Sequence, residues 1–331
     1  MLDEAPLVTN PDLLDETYLP ANIPAREPQI EELAFCLSPA TDGKKPMHAW
    51  LFGRPGAGKT MAARFVLRKI DREAGVLGLY VNCWEYNSYY SVLDKLVREL
   101  RILGAEKLNA SFKLERLKAF LGFRPFIVVL DEIDQPGHEE RDSIIYNLCN
   151  LGSVGLICVC NSHSVLGTMD ERIRSRLSAK QIEFFPYGVD DLVFILRCRA
   201  ELALYPGSWK DATLSRIAEL ADGDARVAIQ TLKNAAYNAE KSDASSIAEK
   251  HIRAAYSVAK DIKKTYLLNK LTTHHRMLFE LVKERGEINS GELWDLYLAR
   301  CRSENKPAIA LRTFSEYMNK LIELDLVRWC L

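Results

Sequence analysis

What this chain lacks removes several classes of protein. Its eight cysteines include no CxxC pair, so their spacing spells neither a disulfide framework nor a zinc site. Cys158 and Cys160, inside the apolar run GLICVC, read as small buried hydrophobes. Reduced thiols point to the cytoplasm. No apolar run approaches the ~18 residues of a membrane span, so no membrane partner is expected. The first twenty residues, MLDEAPLVTNPDLLDETYLP, are acidic and broken by proline, unlike a signal or transit peptide. Neither charge is in excess: 44 Lys+Arg stand against 45 Asp+Glu, a net charge of −1. Any nucleic-acid contact must therefore come from a local surface. Tandem repeats and low-complexity tracts are absent too.

What is present is an ordinary globular composition, 48% hydrophobic over 331 residues, enough for two or three domains. Residues 1–25 read as an extended arm, followed by a helix over REPQIEELAFCLSPA. Short apolar runs then alternate with helical periodicity. The runs are HAWLFG, GLYVNC, PFIVVLDEID, GLICVCNSH and QIEFFPY. That alternation predicts an α/β fold with a mostly parallel sheet covered on both faces. From about Leu192 the strands stop, and four helical segments predict a second, all-helical domain. After Thr265 three more helices follow. The expected division is 1–190, 191–264 and 265–331.

The stretch GRPGAGKT, residues 53–60, matches G-x-x-x-x-G-K-[ST] between a strand and a helix. Loop amides and the positive helix end suit phosphate oxygens. Gly53, Gly56 and Gly58 permit positive φ and close approach. The cradle comprises Gly53, Arg54, Pro55, Gly56, Ala57, Gly58, Lys59, Thr60 and Met61, for ATP or ADP. Lys59 offers a charge to the β- and γ-phosphates, and the Thr60 hydroxyl a ligand to Mg²⁺. In IVVLDEID, Asp131 stands at the carboxyl end of a buried strand, where ligands bind open α/β sheets, and can hold Mg²⁺. Glu132 is placed to polarise an attacking water. Asn161 ends the next strand, where its amide can position that water or serve only as a turn residue. Arg226, at a helix start in DGDARVAIQ, reads either as a phosphate contact made on domain closure or as a surface arginine. In DERIRSRLSA, one of Arg172, Arg174 and Arg176 could reach a neighbouring subunit's nucleotide; a solvated basic turn is the alternative.

The order of these motifs resembles the AAA+ ATPases, and most closely the archaeal Orc1/Cdc6 replication initiators. YLPANIPARE, VLDEID, YNLCNLG, DERIRSRL with FFPY, DGDAR and TTHHRMLFELV extend the resemblance along nearly the whole chain. It implies an AAA+ base with a P-loop, a helical lid and a C-terminal winged helix that binds origin DNA. The implied activity is slow, regulatory ATP hydrolysis. Implied partners are duplex DNA, the replicative helicase or its loader, and a second copy or paralogue; the implied location is the nucleoid. On this resemblance Lys59 and Thr60 match the Walker A site, Asp131 and Glu132 Walker B, Asn161 sensor 1 and Arg226 sensor 2. Arg176 aligns best with the arginine finger, Arg172 being the alternative. Tyr18 with Pro20, and Tyr187, fall where the family contacts adenine. A DNA-touching helical insertion is expected between Trp84 and Phe120.

In the family a basic, glycine-rich wing follows the last helix. Here LDLVRWCL is all that remains after it, so a truncated wing is expected. Residues 265–331 hold ten Lys/Arg and nine Asp/Glu, a balance that neutralises few phosphates. Ile309, Leu311, Phe314, Met318, Leu321 and Leu324 form an expected buried stripe on the last helix. Arg312, Thr313, Ser315 and Lys320 are left for DNA. Two other readings stay open: a STAND-like or divergent regulatory ATPase, and a terminal module that docks protein.

Overall fold

The computed structural model describes residues 6–105, 108–269, 271–286, 288–324 and 326–327. The chain divides into two compact units, Met1–Ile252 and Arg253–Leu331. The first is built on five strands: β1 (Ala49–Gly53), β2 (Gly78–Asn82), β3 (Phe126–Asp131), β4 (Val154–Val159) and β5 (Lys180–Phe184). They lie in the order β2-β3-β4-β1-β5, and all pair in parallel. β3 and β4 are buried along their whole length. Helices cover both faces, so these strands read as unbroken apolar runs rather than alternating ones.

The covering helices are α1 (Glu27–Leu37), α2 (Lys59–Ala74), α3 (Tyr89–Glu99), α4 (Ala110–Leu121), α5 (His138–Cys149), α6 (Ser164–Gly167) and α7 (Glu171–Leu177). Successive strand residues point to opposite faces, and two cores result. Leu51, Ile127, Val129 and Ile157 pack with Leu33 of α1 and Ala62 and Val66 of α2. Trp50, Val128, Leu130 and Leu156 pack with Leu96 of α3, Leu117 of α4 and Leu148 of α5. Cys83, Cys149, Cys158 and Cys160 belong to the second core. Burial pushes all four thiols up, so they stay protonated and pack as hydrophobes. Within the segment Trp84 to Phe120, α3 and most of α4 are joined by the ion pair of the buried Lys113 with Asp94.

Three further helices, α8 (Val189–Ala203), α9 (Asp211–Ala221) and α10 (Ala225–Lys241), pack on one another without strands. α11 (Glu249–Asn269) is one continuous helix through residues 264 and 265. Among the described residues no helix is long and apolar enough to cross a membrane.

The N-terminal arm is less extended than expected. Pro11–Leu14 form a 3₁₀ turn with Leu14 fully buried, and Val8 bridges Leu204. The buried Arg199 of α8 donates to Leu13 O at 2.6 Å and to Tyr18 O at 3.1 Å. Leu7, Val8 and Leu14 need a cover, and α8 supplies it from about 190 residues away in sequence.

In the second unit, α12 (Thr273–Arg285), α13 (Ser290–Ser303) and α14 (Leu311–Glu323) enclose a core of Leu278, Leu293, Tyr297, Phe314, Met318 and Leu321. The Tyr297 hydroxyl accepts from Ile309 N–H at 3.1 Å, which ties down the approach to α14. Leu311 departs from the expected stripe, being 58% exposed. It is the first residue of α14, and helical side chains tilt toward the N-terminus, so it leans past the edge of the core. The segment expected to hold a shortened wing falls largely at residues 325 and 328–331, outside the described residues.

His48 precedes β1 and is 7% exposed. Its Nδ1 accepts from Leu156 N–H at 3.0 Å, which requires the neutral ring. Burial pulls it down to about 4. The unfolded chain therefore binds the proton first. The stability contribution is whole above about pH 6.5 and disappears as pH falls from there through 4, about 3 kcal/mol in all. His48→Asn keeps an acceptor there and removes the titration. Thermal melts across a pH series should show a shallower decline in Tm between pH 6.5 and 4, with little change near neutrality.

Candidate nucleotide site

β1, β3 and β4 end side by side, and each delivers a piece of one cluster. After β1 the chain turns through residues 53–58 into α2. The turn uses positive φ at Gly53 (146°), Gly56 (80°) and Gly58 (90°). The space at these glycines is taken by protein. A Cβ on Gly56 would lie 2.1 Å from the Asp224 carboxylate, and one on Gly58 2.4 Å from Tyr187 Oη. The loop is thus a seat for the start of α10 and for Tyr187. Backbone bonds reinforce the seating: Ala225 N–H donates to Gly56 O at 3.2 Å, and Arg26 Nε donates to Ala57 O at 2.8 Å.

Lys59 is 6% exposed. Its ammonium donates to Gly53 O (2.7 Å), Arg54 O (2.9 Å) and Asn161 Oδ1 (3.2 Å), using all three protons. Burial, with the positive charge of Arg226 second, pulls it down to about 8. Asp131 is 4% exposed. Thr60 Oγ1 donates to its Oδ2 at 2.9 Å, Tyr80 Oη to the same oxygen at 2.6 Å, and Glu132 N–H to Oδ1 at 3.0 Å. Burial pushes Asp131 up, while the Tyr80 and Thr60 hydrogen bonds and the Arg226 charge pull it back. Glu132 holds φ of 54°, a left-handed conformation of the kind that gathers at functional sites.

The structure therefore brings together Lys59, Thr60, Asp131, Glu132 and Asn161. It adds Arg226, in the first turn of α10, within electrostatic reach of Lys59 and Asp131. Arg54 is exposed, and Pro55 and Met61 are half-buried beside the loop. Arg172, Arg174 and Arg176 lie exposed on α7, outside this cluster, with Arg176 over the Tyr146 ring at 5.5 Å. Tyr18 sits on the arm with the Arg199 guanidinium 4.6 Å from its ring. Tyr187 is buried, its ring 3.6 Å from the Arg26 guanidinium. In the second unit Arg312 is exposed and paired with Glu316 at 3.2 Å. Ser315 is exposed and donates to Leu311 O; Thr313 and Lys320 are half-buried.

Three residues were missed by sequence reasoning: Arg26, Tyr80 and Asp224. Arg26 and Asp224 stand inside PARE and DGDAR, stretches that carried the resemblance. Tyr80 is mid-strand in GLYVNC, where nothing in the pattern marks it.

The residues present fit a magnesium-bound triphosphate. Asp131 and Thr60 offer two adjacent oxygens, the hard donors Mg²⁺ takes. Among the described residues no group of three or more His, Cys, Asp or Glu could hold a metal. The buried ammonium at the start of α2 suits the phosphates themselves.

This sheet order, glycine loop, acid pair and helical cap define a P-loop ATPase of the AAA class. Residues 22–159 match the AAA ATPase domain, and residues 193–257 the Cdc6 AAA+ ATPase-type lid domain. The ORC1-type DNA replication protein of Thermococcus kodakarensis is 30% identical over 96% of this chain and 83% of its own length. ORC1-type DNA replication protein 1 of Halobacterium salinarum is 30% identical over 89% of this chain and 96% of its own. Among solved structures, the Aeropyrum pernix Orc1 protein in complex with DNA superposes with a TM-score of 0.77. It is 27% identical, covering 97% of this chain and 89% of that one. The Cdc6p structure from Pyrobaculum aerophilum shares the fold, with a TM-score of 0.69 at 24% identity, over 96% of this chain and 90% of that one. The chain belongs to the ORC1-type DNA replication protein family, within the Orc1/Cdc6 branch of the AAA+ ATPases.

The seat on Gly56 can be tested by a double-mutant cycle. Gly56→Ala should cost about 2–4 kcal/mol, combining φ strain with overlap on Asp224. In an Asp224→Ala background only the strain remains, so the added cost should fall to about 1 kcal/mol. Denaturant unfolding of the four proteins measures the coupling.

Proposed function

We propose that this chain binds ATP at the loop 53–61, hydrolyses it slowly, and uses nucleotide state to switch a duplex-DNA-binding activity at replication origins. The observation that carries this reading is the single cluster of Lys59, Thr60, Asp131 and Asn161, overlooked by the charge of Arg226 from a separate helical layer. Lys59 exchanges its loop acceptors for phosphate oxygens. Mg²⁺, held through Asp131 and Thr60, supplies charge neutralisation on the phosphates. Glu132 takes the proton of the attacking water, and Asn161 orients that water. The adenine falls to the arm around Tyr18 and to the segment of Tyr187, which also braces Gly58.

Arg226 gives the switch its lever. It stands two residues from Asp224, which is seated on Gly56, so a charge change at the phosphates acts on the lid through both. Arg176, or Arg172, is free of this chain's own cluster and suits a finger offered to a second copy or paralogue. The DNA activity is assigned to the second unit, with Arg312, Thr313, Ser315 and Lys320 on the reading helix α14. Support comes from family membership and from the DNA-bound Aeropyrum pernix relative. A replicative helicase or its loader is the partner such a switch would serve, in the nucleoid. A second reading, protein docking by residues 265–331, is favoured by their near-neutral charge and by the Arg312–Glu316 pair.

Glu132→Gln should retain ATP affinity while turnover falls at least 100-fold; binding calorimetry beside a phosphate-release assay checks both. Lys59→Ala should lose the affinity itself. Because phosphate favours the charged ammonium, wild-type binding near pH 8 should take up a proton, and affinity should decline as pH rises past 8. Calorimetry in buffers of different ionisation enthalpy reads that uptake. Duplex binding with and without ATP across a salt series decides between the readings of the second unit. Specific binding with a shallow salt slope fits few phosphate contacts. Indifference to DNA at low salt leaves docking.

A further inference from the structure

We propose that Tyr80 is a positioning residue for magnesium: its hydroxyl fixes the carboxylate of Asp131 in the orientation that the ion requires. The inference rests on the nucleotide reading above and adds a residue to it. The geometry is specific. Tyr80 on β2 pairs in register with Val129 of β3, and Asn82 with Asp131. Asp131 is thus the diagonal neighbour of Tyr80, two positions further along the strand. Only a long side chain reaches a diagonal partner, and the phenol does so with its Oη 2.6 Å from Asp131 Oδ2. That is the length of a charge-assisted O–H···O⁻ bond.

The same oxygen accepts from Thr60 at 2.9 Å, while Oδ1 accepts from Glu132 N–H at 3.0 Å. Both proposed magnesium-holding residues therefore belong to one hydrogen-bond cluster with Tyr80. α2 closes the arrangement. Thr60 stands on its first turn, and Arg64, four residues on, lies with its guanidinium 5.5 Å from the Tyr80 ring. Residues four apart share a helix face, so one face of α2 presents a metal-holding hydroxyl and the brace of the phenol. This outer-shell bond from the phenol orients Asp131.

Tyr80→Phe keeps the ring and deletes the donor. The test is calorimetric titration of a non-hydrolysable ATP analogue into wild type and Tyr80→Phe, in EDTA and across a Mg²⁺ series. Outer-shell changes commonly alter metal affinity by 10–100-fold. The expected result is a roughly tenfold higher Mg²⁺ concentration for half-maximal tightening in the variant, with unchanged affinity in EDTA. Identical Mg²⁺ curves would overturn the assignment. So would equal loss of affinity with and without Mg²⁺, which marks a packing role. If wild-type affinity itself ignores Mg²⁺, the magnesium role of Asp131 and Thr60 fails, and this assignment with it; if the analogue does not bind at all, it is the nucleotide reading that fails.

Discussion

Lys59 and Asp131 are both removed from water, and burial works against the charge of each. Every nearby element contributes polar groups that hold this arrangement: loop carbonyls, the Asn161 amide, the Thr60 hydroxyl, the Glu132 amide and the Tyr80 phenol. Those groups come from the end of β1 and its loop, β2, the turn after β3, the loop after β4 and the start of α2. The parallel sheet is what brings these ends to one edge. Its two cores, filled by alternate strand residues, fix the strands closely enough for hydrogen bonds of 2.6–3.2 Å to form. A site built this way responds strongly to added charge, because little water screens it.

The second dependence runs from the loop to the helical layer. Gly56 and Gly58 lack side chains where Asp224 and Tyr187 approach. Arg26 joins them, bonding Ala57 O and Phe185 O and lying against Tyr187. The loop is therefore gripped from the arm, from the segment after β5 and from α10. Arg199 and Arg68 extend the grip, since they hold the arm against α8 and α2 by its carbonyls. The backbone at Gly56 is thereby also the seat of the first turn of α10.

The second unit obeys a different economy. There α12, α13 and α14 close on an aromatic and aliphatic core, with Trp294, Tyr297 and Phe314 in mutual ring contact. Tyr297 also bonds His274 Nδ1 at 2.7 Å and Ile309 N–H, so the loop before α14 is fixed by the core it leads from. The exposed face of α14 carries Arg312 together with Glu316, which leaves its charge balanced rather than strongly basic.

Much of this was legible in the sequence because it is local. The glycine loop, the β-branched strand ending in Asp131 and Glu132, and the helical periods after Leu192 each follow from residues close together in the chain. What depended on register or distant partners was not legible. Tyr80 matters because β2 lies beside β3 and its ring spans a diagonal. Arg26 and Asp224 matter because the loop folds against them. The arm turns at Pro11–Leu14 because α8 covers Leu14, and Leu311 is exposed because α14 begins there. The sequence by itself determined which elements form and which residue types meet at the candidate nucleotide site, since propensity and motif spacing act over a few residues. Only the tertiary structure decided which side chains brace those residues, since that follows from contacts between segments the chain order keeps apart.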